Sequence, residues 1–215
     1  MSRNETVGNH LTNFMKELKP NNLEDIIAGI ALYRPGPMNQ IPTYIKNKNN
    51  PDEIKYLDEK LEPILNVTYG CLVYQEQVMQ VVRDIGGYSL GRADLVRRAM
   101  SKKKHSVMEK ERKNFIYGKL DENGNVVIPG AIRNGVSEEV ANQLFDIMMD
   151  FASYAFNKSH AAAYAVIAYQ TAYLKKYYPV EFMCAMLTSV MGNNEKVAFY
   201  INACKKMGIK VLPPD

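Results

Sequence analysis

The sequence predicts an all-α, or mainly α, multi-helix fold. Three observations carry that expectation. Apolar residues recur at helical spacing in most segments, proline and glycine interrupt those segments, and helix-starting residues stand just ahead of several of them. One stretch alone, Val126-Val127-Ile128 behind the turn residues Asp121-Glu122-Asn123-Gly124, reads as a strand, so at most one short strand or hairpin is expected near 119–133.

The elements follow in order. Asn22 is an expected N-cap, with Glu24 and Asp25 in a first turn ahead of Ile26, Ile27 and Ile30. That helix stops near Tyr33, because Arg34-Pro35-Gly36-Pro37 cannot continue it. Lys46 to Pro51, rich in lysine and asparagine, reads as a solvated loop. Gln75 to Ile85 carries Val78, Val81, Val82 and Ile85 on one face and ends at Gly86-Gly87. Leu90 to Met100 is a helix by its Leu95, Val96 and Ala99 pattern. Ser106 to Glu109 fits a capping box for a helix running to Tyr117. Ser137 starts the helix to Asp150, and Ser159 starts a long one that Pro179 ends. Val180 to Val190 and Asn194 to Lys206 close the chain, with Gly208 in C-cap position. No fixed-period repeat argues for a solenoid.

Composition bounds the function classes. The 215 residues are 47% hydrophobic, which excludes wholesale disorder, and the net charge of +4 permits nucleic acid without requiring it. Cys71, Cys184 and Cys204 show no CxxC spacing and read as reduced thiols, without a zinc site or disulfide framework. Met1 to His10 is polar, so no signal peptide is expected there, and Ser159 to Leu174 is too short and polar to span a bilayer. A cytoplasmic protein with no membrane partner is the expectation.

Two clusters invite a functional reading. Arg92, Arg97, Arg98, Lys102, Lys103 and Lys104 lead a run of cations that continues to Lys113 against only Asp94, Glu109 and Glu111. A solvated helical face is the plain alternative, yet a helix–loop–helix corner of this sign suits a phosphate backbone. The second is Asn157-Lys158-Ser159-His160, set directly against an alanine- and tyrosine-rich helix and flanked by Tyr154, Phe156 and Tyr164. Lysine and free helix-start amides suit an anion, and the aromatics offer flat faces to a base or sugar. The alternative is an N-cap beside a satisfied core histidine. Arg34, in the rigid turn YRPGP, is either a solvated arginine or a guanidinium presented to phosphate oxygens. YQEQVMQ, Tyr74 to Gln80, reads more readily as an amide-rich surface than as a site.

Independent catalysis finds no support. Ser159 and His160 are adjacent on a helix and point apart, so they make no nucleophile–base pair. The Asp121 turn lacks a calcium loop's distal glutamate, and neither Asp-x-Asp, a P-loop nor HExxH occurs. The reading is of no catalytic residue and no metal ligand in this chain.

The order of motifs sharpens this. IALYRPGPM, TYGCLVYQEQVMQ, YSLGRADLVRRAMSKKK, FASYAFNKSHAAAYAVIAYQTAYLKKYYPVEFM and MGIKVLPPD closely resemble successive segments of the bacterial replicative DNA polymerase III alpha-subunit family. The resemblance covers residues 11–215 and implies the fingers, with a subdivision, if there is one, near 115–135; residues 1–10 do not look like the family. It implies a parent DNA-directed DNA polymerase whose palm aspartates, outside this chain, hold Mg2+ for two-metal nucleotidyl transfer, so this segment alone is expected to be inactive. Implied partners are template-primer DNA, a deoxynucleoside triphosphate, the palm and thumb of the same chain, and replisome subunits through other regions. Location would be cytoplasmic, at the nucleoid. Arg34, Tyr154, Phe156, Asn157, Lys158, Ser159 and His160 become candidates for the nucleotide, and Arg92, Arg97, Arg98 and Lys102 to Lys104 for DNA or phosphate. A non-catalytic helical nucleic-acid-binding module and a helical scaffold protein are the rivals. The polar knot separates them, since a pure backbone binder does not need it.

Overall fold

The structure, a computed structural model, describes residues 12–34, 37–102, 105–152 and 154–212. It is mainly α, with one two-stranded hairpin among the described residues. The chain divides into two compact units, Met1–Tyr164 and Ala165–Asp215.

The first unit opens with α1 (residues 12–18), a helix the sequence reading did not anticipate. The next, α2 (Leu23–Leu32), starts as expected at Asn22, whose Oδ1 accepts from the Asp25 amide at 2.9 Å. After a 3-10 turn at Pro37–Gln40 comes α3 (Ile41–Asn49). The expected solvated loop at Lys46 to Pro51 is therefore wrong: Lys46 and Lys48 occupy the last turn of α3, and Pro51 opens a 3-10 turn. Cations are favoured at a helix C-terminus, and Lys48 has a second reason to be there. Its ammonium donates to the Lys19 carbonyl at 2.8 Å and lies 3.4 Å from the Asp25 carboxylate, both side chains being at least 95% buried.

The core of this unit is built by α4 (Glu62–Leu65), α5 (Gln75–Asp84), α6 (Leu90–Ser101), α7 (His105–Tyr117) and α8 (Glu138–Ala152). On α5 the expected stripe of Val78, Val81, Val82 and Ile85 is buried. Gln77, on the same helix, is buried with its amide fully used. Its Oε1 accepts from the Val73 and Tyr74 amides, and its Nε2 donates to the Ile64 carbonyl and the Thr68 hydroxyl. On α6 the inward residues are Ala93, Val96 and Met100, whereas Leu95 is 61% exposed, so the expected Leu95–Val96–Ala99 face is rotated. α7 is described from His105, which puts Ser106 inside the first turn rather than ahead of it. α8 starts at the expected Ser137 cap and runs two residues past Asp150; Leu144, Phe145, Met148 and Phe151 face inward. Each such large side chain contributes about 1.5–3 kcal/mol of burial, which is why α5 and α8 are rigid supports for whatever is mounted on them.

The hairpin is β1 (Lys119–Leu120) with β2 (Val126–Ile128), antiparallel. Asp121 closes its turn by accepting from the Asn123 and Asn125 amides. At its base a Cβ on Gly130 (φ +81°) would stand 2.3 Å from the Gly118 nitrogen, so a side chain there has no room. This region, near 115–135, lies within the first unit.

α9 (Lys158–Tyr177) carries the chain into the second unit, which continues with α10 (Pro179–Ser189) and α11 (Asn194–Lys206). Pro179 ends one helix and is the first residue of the next, where its missing N–H costs nothing. Gly208 ends α11 as expected: its amide donates to the Lys205 carbonyl, and the Ile209 amide donates to that of Cys204. Met183 and Cys204 are buried, and Tyr173 and Tyr177 meet with ring centroids 4.6 Å apart. Cys71, Cys184 and Cys204 are unpaired; burial pushes the Cys71 thiol up to about 11, which keeps it an unreactive packing group. No helix among the described residues is long and apolar enough to cross a membrane.

Candidate functional site

Between α8 and α9, residues 154–157 belong to no helix, although the Tyr154 and Ala155 amides still donate to the Phe151 carbonyl near the end of α8. The segment is held by the start of α5. The Gln75 amide donates to the Phe156 carbonyl at 2.9 Å and the Gln75 side chain to the Ala155 carbonyl at 2.9 Å. The Glu76 carboxylate accepts from the Asn157 side-chain amide at 2.9 Å and from the Lys158 backbone amide at 3.1 and 3.2 Å. α9 then begins at Lys158, with Asn157 as its cap, since the His160 amide donates to Asn157 Oδ1 at 2.9 Å.

Two expectations are corrected here. Ser159 does not start α9; it sits inside the first turn. The helix-start amides were expected to be free for an anion. Those of Lys158 and His160 are already taken, by Glu76 and Asn157. A carboxylate already occupies the end of the helix that favours negative charge.

The segment forms one wall of an open cleft of about 490 Å3 lined by Arg34, Gln75, Tyr154, Ala155, Phe156, Asn157 and His160. Five of the seven expected nucleotide-binding residues thus meet in one place, although Arg34 is more than a hundred residues away in sequence. The Arg34 guanidinium lies 4.3 Å from the centroid of the Phe156 ring. Stacking of this kind fixes the guanidinium plane and leaves its N–H groups directed outward. Among the described residues no carboxylate pairs with Arg34. His160 is exposed, edge-on to Phe156 at 5.3 Å and to Tyr164 at 4.9 Å. It is therefore not the buried core histidine of the alternative reading. Lys158 and Ser159 stand outside the cleft lining, and the Lys158 ammonium is 2.9 Å from the Glu24 carboxylate. Tyr154 also lines a neighbouring cavity of about 530 Å3 with Asn39, Gln40, Ile147, Asp150 and Phe151.

The basic corner is built differently. Arg92 pairs with Glu111, whose side chain is only 8% exposed and also accepts from the Tyr88 hydroxyl at 3.2 Å. Burial, then that carboxylate, raises the Tyr88 pKa well above the usual phenol range. Arg97 is 15% exposed, bonded to Asp94 at 2.8 Å and to Gln75 Oε1 at 3.1 Å; Arg98 is 64% exposed and bonded to Asp94 at 2.7 Å. Hydrogen bonds from Arg97, then Arg98, hold the Asp94 carboxyl below the usual carboxylate range. Lys102 is exposed; Lys103 and Lys104 lie outside the described residues.

Gln75 and Glu76 are the residues that sequence reasoning set aside. Gln75 is a wall of the cleft and joins it to Arg97; Glu76 fixes the knot. The only local signal was a glutamate in the first turn of α5, which is ordinary helix chemistry. Among the described residues no group of three His, Cys, Asp or Glu side chains is placed to hold a metal ion.

Comparison with known proteins places the geometry in context. A family model described as "Bacterial DNA polymerase III alpha subunit finger domain" matches residues 7–123. That match begins inside residues 1–10, the segment expected to lie outside the family. The chain is 49% identical to the DNA polymerase III subunit alpha of Thermus aquaticus over all of its own length. It is 49% identical to that of Borreliella burgdorferi and 46% identical to that of Bacillus subtilis, each over 94% of its length. It spans only 18%, 16% and 17% of those relatives.

Proposed function

The chain belongs to the finger-domain family of bacterial DNA polymerase III alpha subunits, and we propose that its cleft takes the incoming deoxynucleoside triphosphate for a template-directed polymerase. The observation that carries this reading is the juxtaposition of Arg34, which has no carboxylate partner among the described residues, on the Phe156 ring with the exposed His160 in the first turn of α9. An arginine with its plane fixed suits phosphate oxygens. Tyr154 and Phe156 offer faces on which a base or sugar stacks. His160, held between two rings, meets the sugar and leaves little room for a 2′-hydroxyl.

Lys158 and Ser159 stand at the rim, and Lys158 reaches phosphate by exchanging its Glu24 partner for the ligand. Asn157 acts by holding the first turn of α9, since both ends of its amide are already bonded. Arg97, Arg98, Lys102, Lys103 and Lys104 supply positive charge toward triphosphate or template, whereas Arg92 supports them from its pair with Glu111. Magnesium chemistry belongs to carboxylates of a longer alpha chain, and the residues here bind and orient. Alone, the segment is inactive in primer extension. Its partners are template-primer DNA and the rest of the polymerase chain, in the bacterial cytoplasm.

The test is steady-state incorporation by a full-length alpha subunit carrying this sequence, with matched deoxy- and ribonucleotides. His160→Ala raises ribonucleotide use relative to deoxyribonucleotide. Lys158→Ala weakens both alike, because a phosphate contact does not read the sugar. Unchanged sugar preference in the His160 variant would remove the sugar contact from the account.

A further inference from the structure

The cleft wall that carries Phe156 is a stretch of chain with no helix of its own, and such segments ordinarily adapt. Here four consecutive residues, Ala155 to Lys158, are each bonded to Gln75 or Glu76. We infer that Gln75 and Glu76 form a positioning clamp, which sets nucleotide affinity by fixing the Phe156 ring and the first turn of α9 against Arg34. The inference rests on the nucleotide reading of the same cleft.

Three features make this more than incidental bonding. First, the clamp stands on a rigid element. Beside it on α5, Val78, Val81 and Val82 are buried, and Gln77 uses its whole amide in the interior. A site is held accurately when its supports are themselves locked by packing. Second, the Gln75 side chain cannot turn over without loss. Its nitrogen donates to the Ala155 carbonyl while its oxygen accepts from Arg97, so a reversed amide would face a carbonyl with an oxygen and a guanidinium with an NH2 group. Third, the Glu76 carboxylate binds a side-chain amide and a backbone amide at the positive end of a 20-residue helix, an arrangement that charge and dipole both favour. It also closes that backbone amide to phosphate, which leaves the triphosphate to Arg34, the Lys158 ammonium and the basic corner, with sugar and base toward Phe156 and His160.

Neither residue touches the nucleotide's reacting atoms in this account. Removing the clamp should therefore raise the nucleotide KM and leave kcat nearly intact. The experiment uses the full-length alpha subunit on a primed template, with dATP as the varied nucleotide and a melting curve for every variant. Glu76→Ala should raise KM about tenfold with kcat within about threefold. Glu76→Gln keeps one acceptor for Asn157 or Lys158 and should recover much of the loss. Gln75→Glu, which keeps the Arg97 bond but loses the donor to Ala155, should fall between them. If Glu76→Ala does not fold, Glu76→Gln and Gln75→Glu carry the test, each with a KM above wild type. A lowered melting temperature with wild-type KM in the folded fraction would make these residues structural only and overturn the clamp. Arg34→Ala and Phe156→Ala run alongside. If they raise KM and the clamp variants do not, the clamp fails alone; if none of the four residues moves KM, the nucleotide reading of the cleft fails with it.

Discussion

The cleft beside α9 and the basic corner of α6 look alike in the sequence, each a concentration of polar and cationic residues at a helix end or corner. In the structure they differ in what their cations already hold. Arg34 rests on an aromatic ring and meets no carboxylate among the described residues. Arg92, Arg97 and Arg98 each meet one. Formal charge counts the two regions as equals, or favours the corner. Availability reverses the order, because a guanidinium already bonded to a carboxylate must exchange that partner before it contributes to a ligand. Gln75 joins the two regions, with one end of its amide on the cleft wall and the other on Arg97.

Mutations can break this contrast. The largest expected effect is on folding, at the corner. Arg92→Ala leaves the Glu111 carboxylate buried with the Tyr88 hydroxyl as its remaining side-chain partner among the described residues. A loss of about 1–3 kcal/mol follows, less than for a fully buried pair because Arg92 itself is partly exposed. Chemical denaturation measures it, and a change within about 0.5 kcal/mol would show that Arg92 is as free as Arg34.

Arg34→Ala should do the reverse. Its stacking on Phe156 is an exposed contact worth about 0.5–1 kcal/mol, so melting moves by only a few degrees, whereas the nucleotide KM rises about tenfold. A large drop in melting temperature with unaltered KM would return Arg34 to a structural corner.

Smaller still is the effect of releasing the corner's arginines. Asp94→Asn removes the carboxylate that Arg97 and Arg98 share. DNA binding should then tighten and its log–log salt slope steepen by about 1, as one more cation engages phosphate. An unchanged slope would mean that the pair is already broken when DNA binds.

The same pair has a pH signature, the smallest effect of all. Because the Asp94 carboxyl titrates below its ordinary value in the folded chain, the stabilisation is present above the unfolded carboxyl pKa of about 3.9. It is lost as pH falls through the depressed folded value. Carbon-detected NMR titration of that carboxyl should show the depression, and Arg97→Ala should move it back toward the ordinary range.

How much of this was legible depended on how far apart the partners lie. α2 could be read because cap, apolar face and stop fall within one short run, from Asn22 to Tyr33, α5 because its apolar stripe and glycine stop do, and the end of α11 because Gly208 follows it. Lys48 could not, because its partner Asp25 sits on another helix, and without it a lysine- and asparagine-rich stretch looks solvated. The aromatic and polar members of the cleft were visible as a cluster around residues 154–160. Their attachment was not, because Glu76 and Asn157 are 81 residues apart and a glutamate in a first helical turn calls for no distant partner. Arg34 was recognised as an arginine on a rigid turn; that it lies over Phe156 required the fold.

The central claim is that the nucleotide occupies the cleft between Arg34 and the start of α9. Photo-crosslinking tests it most directly. A full-length alpha subunit on a primed template is irradiated with 8-azido-dATP, and the adduct is mapped by peptide mass spectrometry with excess dATP as competitor. The account predicts competed adducts within residues 154–160 or at Arg34 and Gln75. Competed adducts confined to peptides outside the cleft lining, such as α10 and α11, would contradict it.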